Sequence, residues 1–225
     1  MQNKNLLSLL SILIILILIS CSGLPLPGSP TPTNTLIYDT PVTFNIKTGT
    51  LLPGTSIVYQ GKTETGSAKV LMSGLPAPKQ TADSVDWSGS LAGNVTTKLN
   101  LRVATFDDQS ITLAGTAHIE VANIEIKPGG TPNKELIEFD MPLVTYQLDK
   151  NKIVPGTNLT YAGATPDGAQ FIGIEGYPYR KQFDSLQYVG HLAPKVYLRL
   201  DLRVLNFSNT SVTLAGPARL RVENP

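Results

Sequence analysis

The sequence predicts an all-β protein: two tandem copies of a roughly six-stranded antiparallel β-sandwich, with a small barrel as the alternative closure. Three observations carry this expectation. The chain repeats itself at an offset of about one hundred residues. Its apolar residues alternate with polar ones at the two-residue period of a half-buried strand. Short apolar runs are separated by Gly, Pro, Asn and Asp at even spacing, the pattern of a sandwich or barrel.

The duplication is the strongest of the three. Asp83–Asn123 aligns without gaps on Asp184–Asn224, 101 residues later, and 19 of the 41 positions are identical. Upstream the offset is 102. There Pro53-Gly54-Thr55, Tyr59 and Gly61 match Pro155-Gly156-Thr157, Tyr161 and Gly163. In this alignment Lys79 and Gln80 match Lys181 and Gln182, which makes Ala82 the one-residue slip. The repeat exceeds the 20–50 residues of a solenoid unit and reads as a whole domain copied once. The copies span 38–126 and 139–225, with a linker at 127–138 around Pro128-Gly129-Gly130-Thr131-Pro132-Asn133.

Each copy has the same elements in order. Three short strands are expected near 42–48, 55–61 and 68–73, with counterparts near 143–149, 157–163 and 169–175. A fourth runs over 84–91 and 185–192. The fifth shows the period most clearly. Val196, Leu198, Leu200, Leu202 and Val204 form an inward row, and Tyr197, Arg199, Asp201 and Arg203 an outward one. Leu99, Leu101 and Val103 do the same in the first copy. Asp107-Asp108 and Ser208-Asn209 turn the chain. The sixth strand returns over Ser110–Val121 and Ser211–Val222. Its Leu-Ala-Gly interruption, at 113–115 and 214–216, is expected to bend it between two sheets.

The N-terminus has a separate logic. Lys4 is the only charge in the first twenty residues, and Leu6–Ile19 is Leu and Ile apart from Ser8 and Ser11. That run is shorter than the roughly 20 residues a membrane-crossing helix needs, and a small residue closes it, as in a cleaved export signal. The closing residues Leu18-Ile19-Ser20-Cys21 resemble the lipobox of bacterial lipoproteins. The resemblance covers residues 1–21 only. It implies removal of 1–20, a diacylglycerol on the Cys21 thiol, and anchoring to the bacterial cell membrane or outer membrane, facing the periplasm or exterior. Cys21 is the only cysteine, so no disulfide competes for it. Two or three acyl chains, at about 0.8 kcal/mol per buried methylene, hold a protein where one does not. Residues 21–37 follow as a Pro- and Thr-rich extended linker.

Composition narrows function by exclusion. Net charge is +1 with 16% charged residues, far from the basic footprint of a nucleic-acid binder, so no nucleic acid is expected as a partner. The two histidines, His118 and His191, align with Arg219 and Ser90, so no duplicated site holds a histidine. Without a Cys pair, and with no acidic run at calcium-loop spacing, neither metal nor other cofactor is expected. No catalytic residues emerge. Gly61-Lys62-Thr63 lacks the spacing of a phosphate loop. Asp83 and Asp184, each followed by Ser, are expected to cap turns. Arg102 and Arg203 are expected to pair with neighbours such as Glu120 or Asp201.

The copies differ in their aromatics. The second has Tyr177, Tyr179, Phe183, Tyr188 and Tyr197, and its charge over 139–225 is nine basic against seven acidic, +2; the first, over 38–123, has six against seven, −1. Tyr177, Tyr179 and Arg180, in an expected loop, are the candidate ligand-binding residues, because exposed Tyr beside Arg is a frequent contact surface. The resulting expectation is a membrane-anchored envelope lipoprotein whose tandem β domains bind a protein or glycan or act structurally. The alternatives are an envelope hydrolase with carboxylates in a cleft between the copies, and an accessory subunit of an envelope assembly.

Overall fold

The structure, a computed structural model, describes residues 34–130 and 136–223. The export signal, Cys21 and most of the linker after it lie outside the described residues. Fifteen strands follow in chain order. The first copy contains β1 (Thr35–Lys47), β2 (Ile57–Lys62), β3 (Ala68–Met72), β4 (Leu75–Lys79), β5 (Trp87–Ala92), β6 (Val95–Phe106) and β7 (Ser110–Ala122). The short β8 (Lys127–Pro128) falls in the stretch read as linker. The second copy contains β9 (Leu136–Asp149), β10 (Thr160–Thr165), β11 (Gly168–Ile172), β12 (Tyr179–Arg180), β13 (Ser185–Ala193), β14 (Val196–Phe207) and β15 (Ser211–Glu223). No helix among the described residues is long and apolar enough to cross a membrane.

Each copy is sandwich-like, built from two antiparallel sheets and not a closed barrel. In the first, β1-β7-β6-β5 forms one sheet and β2-β3-β4 the other. In the second, β8-β13-β14-β15-β9 faces β10-β11-β12 in the same roles. The alternation that predicted the strands fills the interior. Val95, Thr97, Leu99, Leu101 and Val103 of β6 are buried while Thr96, Lys98, Asn100 and Arg102 are exposed. On β14 the inward row is also buried, but Tyr197 departs from the outward pattern. Its ring lies 4.3 Å from that of His191, and its hydroxyl donates to Glu223 Oε1 at 2.7 Å, so an outward-facing ring is nonetheless covered.

Four details differ from expectation. Each copy has seven strands, not six, because β4 and β12 form in stretches containing prolines. Leu75-Pro76-Ala77-Pro78-Lys79 pairs with β3 as an edge strand, and an edge is where a strand tolerates a residue without a backbone donor. Secondly, β7 does not turn between sheets. It pairs with β1 from Thr35↔Ala122 to Lys47↔Ser110 and stays in one sheet. Gly115 and Gly216 answer to close approach instead. A Cβ at either would sit 2.0 Å from the Asn100 carbonyl oxygen or 2.3 Å from that of Asp201.

The third concerns the slip between registers. Gln80 and Lys181 occupy the same place, each donating its backbone N–H to Asp83 or Asp184 Oδ2 at 2.7 Å. Ala82 and Phe183 also correspond, at φ 72° and 69°. The 101 offset therefore holds from Ala68/Ala169 onward. It holds at the start too, since Thr35 and Leu136 both open their strands opposite the end of the last one. A bulge in β9, opposite Gly216/Ala218, adds a residue to the second copy. The longer β2–β3 connection, which closes at Lys62↔Ala68 against Thr165↔Gly168, adds one to the first. Two compensating insertions replace the single slip at Ala82. Fourthly, Arg102 and Arg203 do not seek carboxylates. They donate to the carbonyls of those same turn residues, Ala82 at 2.8 Å and Phe183 at 3.0 Å.

Two further devices are duplicated. Thr55 and Thr157 turn the Pro-Gly-Thr loops, donating to Leu52 and Val154 carbonyls and accepting from Ile57 and Leu159 N–H groups. The buried Tyr59 and Tyr161 send their hydroxyls to the Asp107 and Ser208 carbonyls, tying the small sheet to the β6–β7 and β14–β15 turns. Asn34–Pro225 form one compact unit with a continuous apolar core. Across the seam Thr40 Oγ1 donates to the Asp140 carbonyl at 2.7 Å and Glu125 N–H to the Leu192 carbonyl at 2.8 Å. Burial first, then the nearby Tyr146, holds the Tyr38 phenol pKa well above its usual value.

Candidate functional site

The three candidate residues come together at one corner of the second copy. β11 runs back into β12 with Ala169 opposite Arg180 and Gln170 opposite Tyr179. Arg180 fixes this hairpin. Its Nε donates to the Ser185 carbonyl at 3.0 Å, and Nη1 donates to the carbonyls of Tyr177 at 2.6 Å and Tyr179 at 2.8 Å. The guanidinium thus joins the hairpin to the start of β13. Tyr177 is left 64% exposed. Its ring stands edge-on to Tyr179, with centroids 5.4 Å apart and planes at 68°, an arrangement aromatic pairs favour. The pair is a preset aromatic platform, and Arg180 acts mainly as its support.

Beside this platform lies a hollow of about 640 Å³, bordered by Asn158, Glu175, Arg180, Ser185, Gln187 and Tyr188 among others. The sequence alone did not single out Asn158, Glu175 or Gln187, which come from three separate loops and strands. The Tyr188 ring lies against Gly190, where a Cβ would fall 2.4 Å from the hydroxyl. That hydroxyl is buried without a hydrogen-bond partner, and burial raises its pKa. The hollow offers amide, carboxylate and guanidinium groups near the exposed Tyr177 ring and the half-buried Tyr179, a mix suited to binding a polar ligand with flat apolar faces. In the first copy, the 101 offset puts Pro76, Pro78 and Lys79 where the second has Tyr177, Tyr179 and Arg180.

The other chemistry-bearing residues are committed elsewhere. Asp83 and Asp184 cap their turns, as above. Asp39 and Asp140 share a duplicated place on β1 and β9. Asp39 meets His118 Nδ1 at 2.8 Å, and Asp140 meets Arg219 Nε at 2.6 Å. Glu138 joins Arg219 and Arg221 in the same outer-face network. Asp201 holds Arg199 Nε at 2.8 Å and accepts from Gln187 Nε2 at 3.1 Å. His118 and His191 belong to separate local contacts, to Asp39 and Tyr197. Among the described residues no group of three or more His, Asp or Glu stands together as metal ligands do. Lys62 closes β2 within a strand, 6.0 Å from the Phe106 ring. No known protein family, no curated protein and no solved structure matches this chain.

Proposed function

We propose that this chain is an exported lipoprotein, tethered through Cys21, whose second β copy binds a protein or glycan of the cell envelope at the Tyr177–Tyr179 corner. The observation that supports it most is the exposure of Tyr177 on a hairpin that three Arg180 hydrogen bonds hold in shape. A large exposed ring costs little conformational entropy on binding when its backbone is already fixed. The neighbouring hollow adds Asn158, Glu175 and Gln187 as groups that can pair with a ligand's hydroxyls or amides. A single-sided surface on one copy also suits a protein held near a membrane, because the other copy is left to carry the tether. Binding to isolated envelope fractions, and to their separated polysaccharide and protein components, tests this reading. Tyr177→Ala with Tyr179→Ala should weaken binding at least tenfold, about 1.4 kcal/mol, while the protein stays folded. Unchanged binding would discard the surface. Mass spectrometry of the mature chain checks the tether separately: a lipid-sized mass increase on Cys21 is expected, and a free thiol there contradicts it.

A further inference from the structure

The two copies differ at one sheet edge. In the second copy the outer edge of β13 is filled by the segment around β8, just ahead of that copy: Glu125 N–H donates to the Leu192 carbonyl and Gly129 N–H to that of Val189, both at 2.8 Å, with Lys127 opposite His191 and Pro128 opposite Gly190. In the first copy the equivalent strand is β5, and among the described residues it pairs with β6 alone. Its sequence, Trp87-Ser88-Gly89-Ser90-Leu91-Ala92, has no Lys, Glu or Pro of the sort that blunts an exposed edge. It keeps the shape of its covered counterpart. Both strands bulge at the same place, between Ser90/Ala92 and His191/Ala193. In both an aromatic ring, Trp87 or Tyr188, lies over the glycine two residues on.

We propose that the β5 edge of the first copy is the docking site of this chain's own Leu24-Pro25-Leu26-Pro27-Gly28, added as an extended antiparallel strand with proline at alternate positions. The pattern follows from the covered edge. Backbone nitrogens along a strand point to alternate sides, so if Glu125 and Gly129 face β13, Ile126 and Pro128 face away. A proline is tolerated only at the second kind of position. At the 101 offset, Leu24, Leu26 and Gly28 take the donor positions. Pro25 and Pro27 take the others, and Pro27 matches Pro128 itself. Shifting the register by one would place both prolines where donors are required. Gly28 also precedes Thr35 by the same seven residues as Gly129 precedes Leu136. The fold already uses such a strand, since β4 (Leu-Pro-Ala-Pro-Lys) pairs with β3 along an edge. Strand addition of this kind draws its affinity from main-chain hydrogen bonds.

The test reads the Ser88 and Ser90 amides, the counterparts of Val189 and His191, by hydrogen exchange in the whole mature chain. Emission of Trp87, the only tryptophan, is read in parallel. The synthetic peptide Gly-Leu-Pro-Leu-Pro-Gly-Ser serves as a probe, with Gly-Leu-Pro-Pro-Pro-Gly-Ser as its control, which puts a proline at a donor position in either register. The proposal expects both amides to be protected in the chain alone, with Leu26→Pro speeding their exchange about tenfold and Pro25→Ala leaving it unchanged. Amides that exchange freely until the Leu-Pro-Leu-Pro peptide, and not its control, is added would assign the edge to a strand from another molecule and overturn it. Free exchange throughout, or protection indifferent to Leu26→Pro, overturns it as well. Unaltered β6 amides in every variant show that the sandwich itself is intact.

Discussion

The two copies share their skeleton and differ in what they display. Both close the first strand on the last, both tie the small sheet to a distant turn through a buried tyrosine, and both cap the same turn with an aspartate and an arginine. On the strand after the β3 hairpin they part. The first copy carries Pro76 and Pro78, and the second Tyr177 and Tyr179. The position is an edge, so it answers to few packing constraints and can be respecified without disturbing the interior. Shared residues therefore report on folding, and unshared ones on contact.

That division can be broken first where the shared constraint is hardest. Gly115→Ala and Gly216→Ala should each cost about 3 kcal/mol or more, since the new Cβ meets a backbone carbonyl that only a sheet distortion can move. Urea unfolding would measure it. A loss under about 1 kcal/mol in one copy alone would mean the copies are not built alike. Tyr59→Phe and Tyr161→Phe come next, at about 1–2 kcal/mol each, because each leaves a turn carbonyl without its donor. Alkaline pH probes the same pair. Burial raises both phenol pKa values, so the stability they contribute is full below the ordinary tyrosine value of about 10 and falls as pH rises through it.

Acid should separate the copies. Backbone N–H groups of Gln109 and Ser110 hold the Asp107 pKa below its ordinary value. Its contribution is present above the ordinary aspartate value and is lost as pH falls through it. The second copy has Ser208 at that place. Amide protection in the β6–β7 turn, measured against the intrinsic exchange rate at each pH, should fall on acidification while that of the β14–β15 turn holds, and parallel behaviour would refute this. Smaller still is Arg180→Ala, which removes three hydrogen bonds from an exposed hairpin and should cost about 1 kcal/mol. Lys79→Ala, at the matching place, should stay within about 0.5 kcal/mol.

Much of this architecture was readable from residue order. Alternation along Leu99–Val103 and Val196–Val204 gave the central strands, because a sheet with one buried face imposes period two directly. The aspartate turns were readable because Asp at a strand entry has few other roles. The prolines of β4 concealed a strand, since their effect depends on whether the nitrogen faces a neighbour, which only the pairing reveals. Offsets of 101 and 102 disclosed that an insertion existed but placed it at Ala82. The β9 bulge shifts the inward row from Ile137, Phe139 and Met141 to Val144, Tyr146 and Leu148 across the exposed Pro142 and Leu143, a break in phase that only the pairing identifies as an insertion. Of the candidate site, Tyr177, Tyr179 and Arg180 were visible as an aromatic–basic cluster. Asn158, Glu175 and Gln187 were not, for they are scattered in sequence and adjacent only after folding. Nor could spacing show that Arg180 spends its donors on its own backbone.

The most direct measurement of the central claim is a paired one: binding of the whole mature protein to envelope fractions, comparing Tyr177→Ala/Tyr179→Ala with Pro76→Ala/Pro78→Ala, with thermal unfolding followed for both. The tyrosine pair should lose at least tenfold in affinity, about 1.4 kcal/mol, with little change in unfolding temperature, and the proline pair should bind as the parent does. Equal losses from the two pairs, or none from either, would contradict the assignment of contact to the second copy.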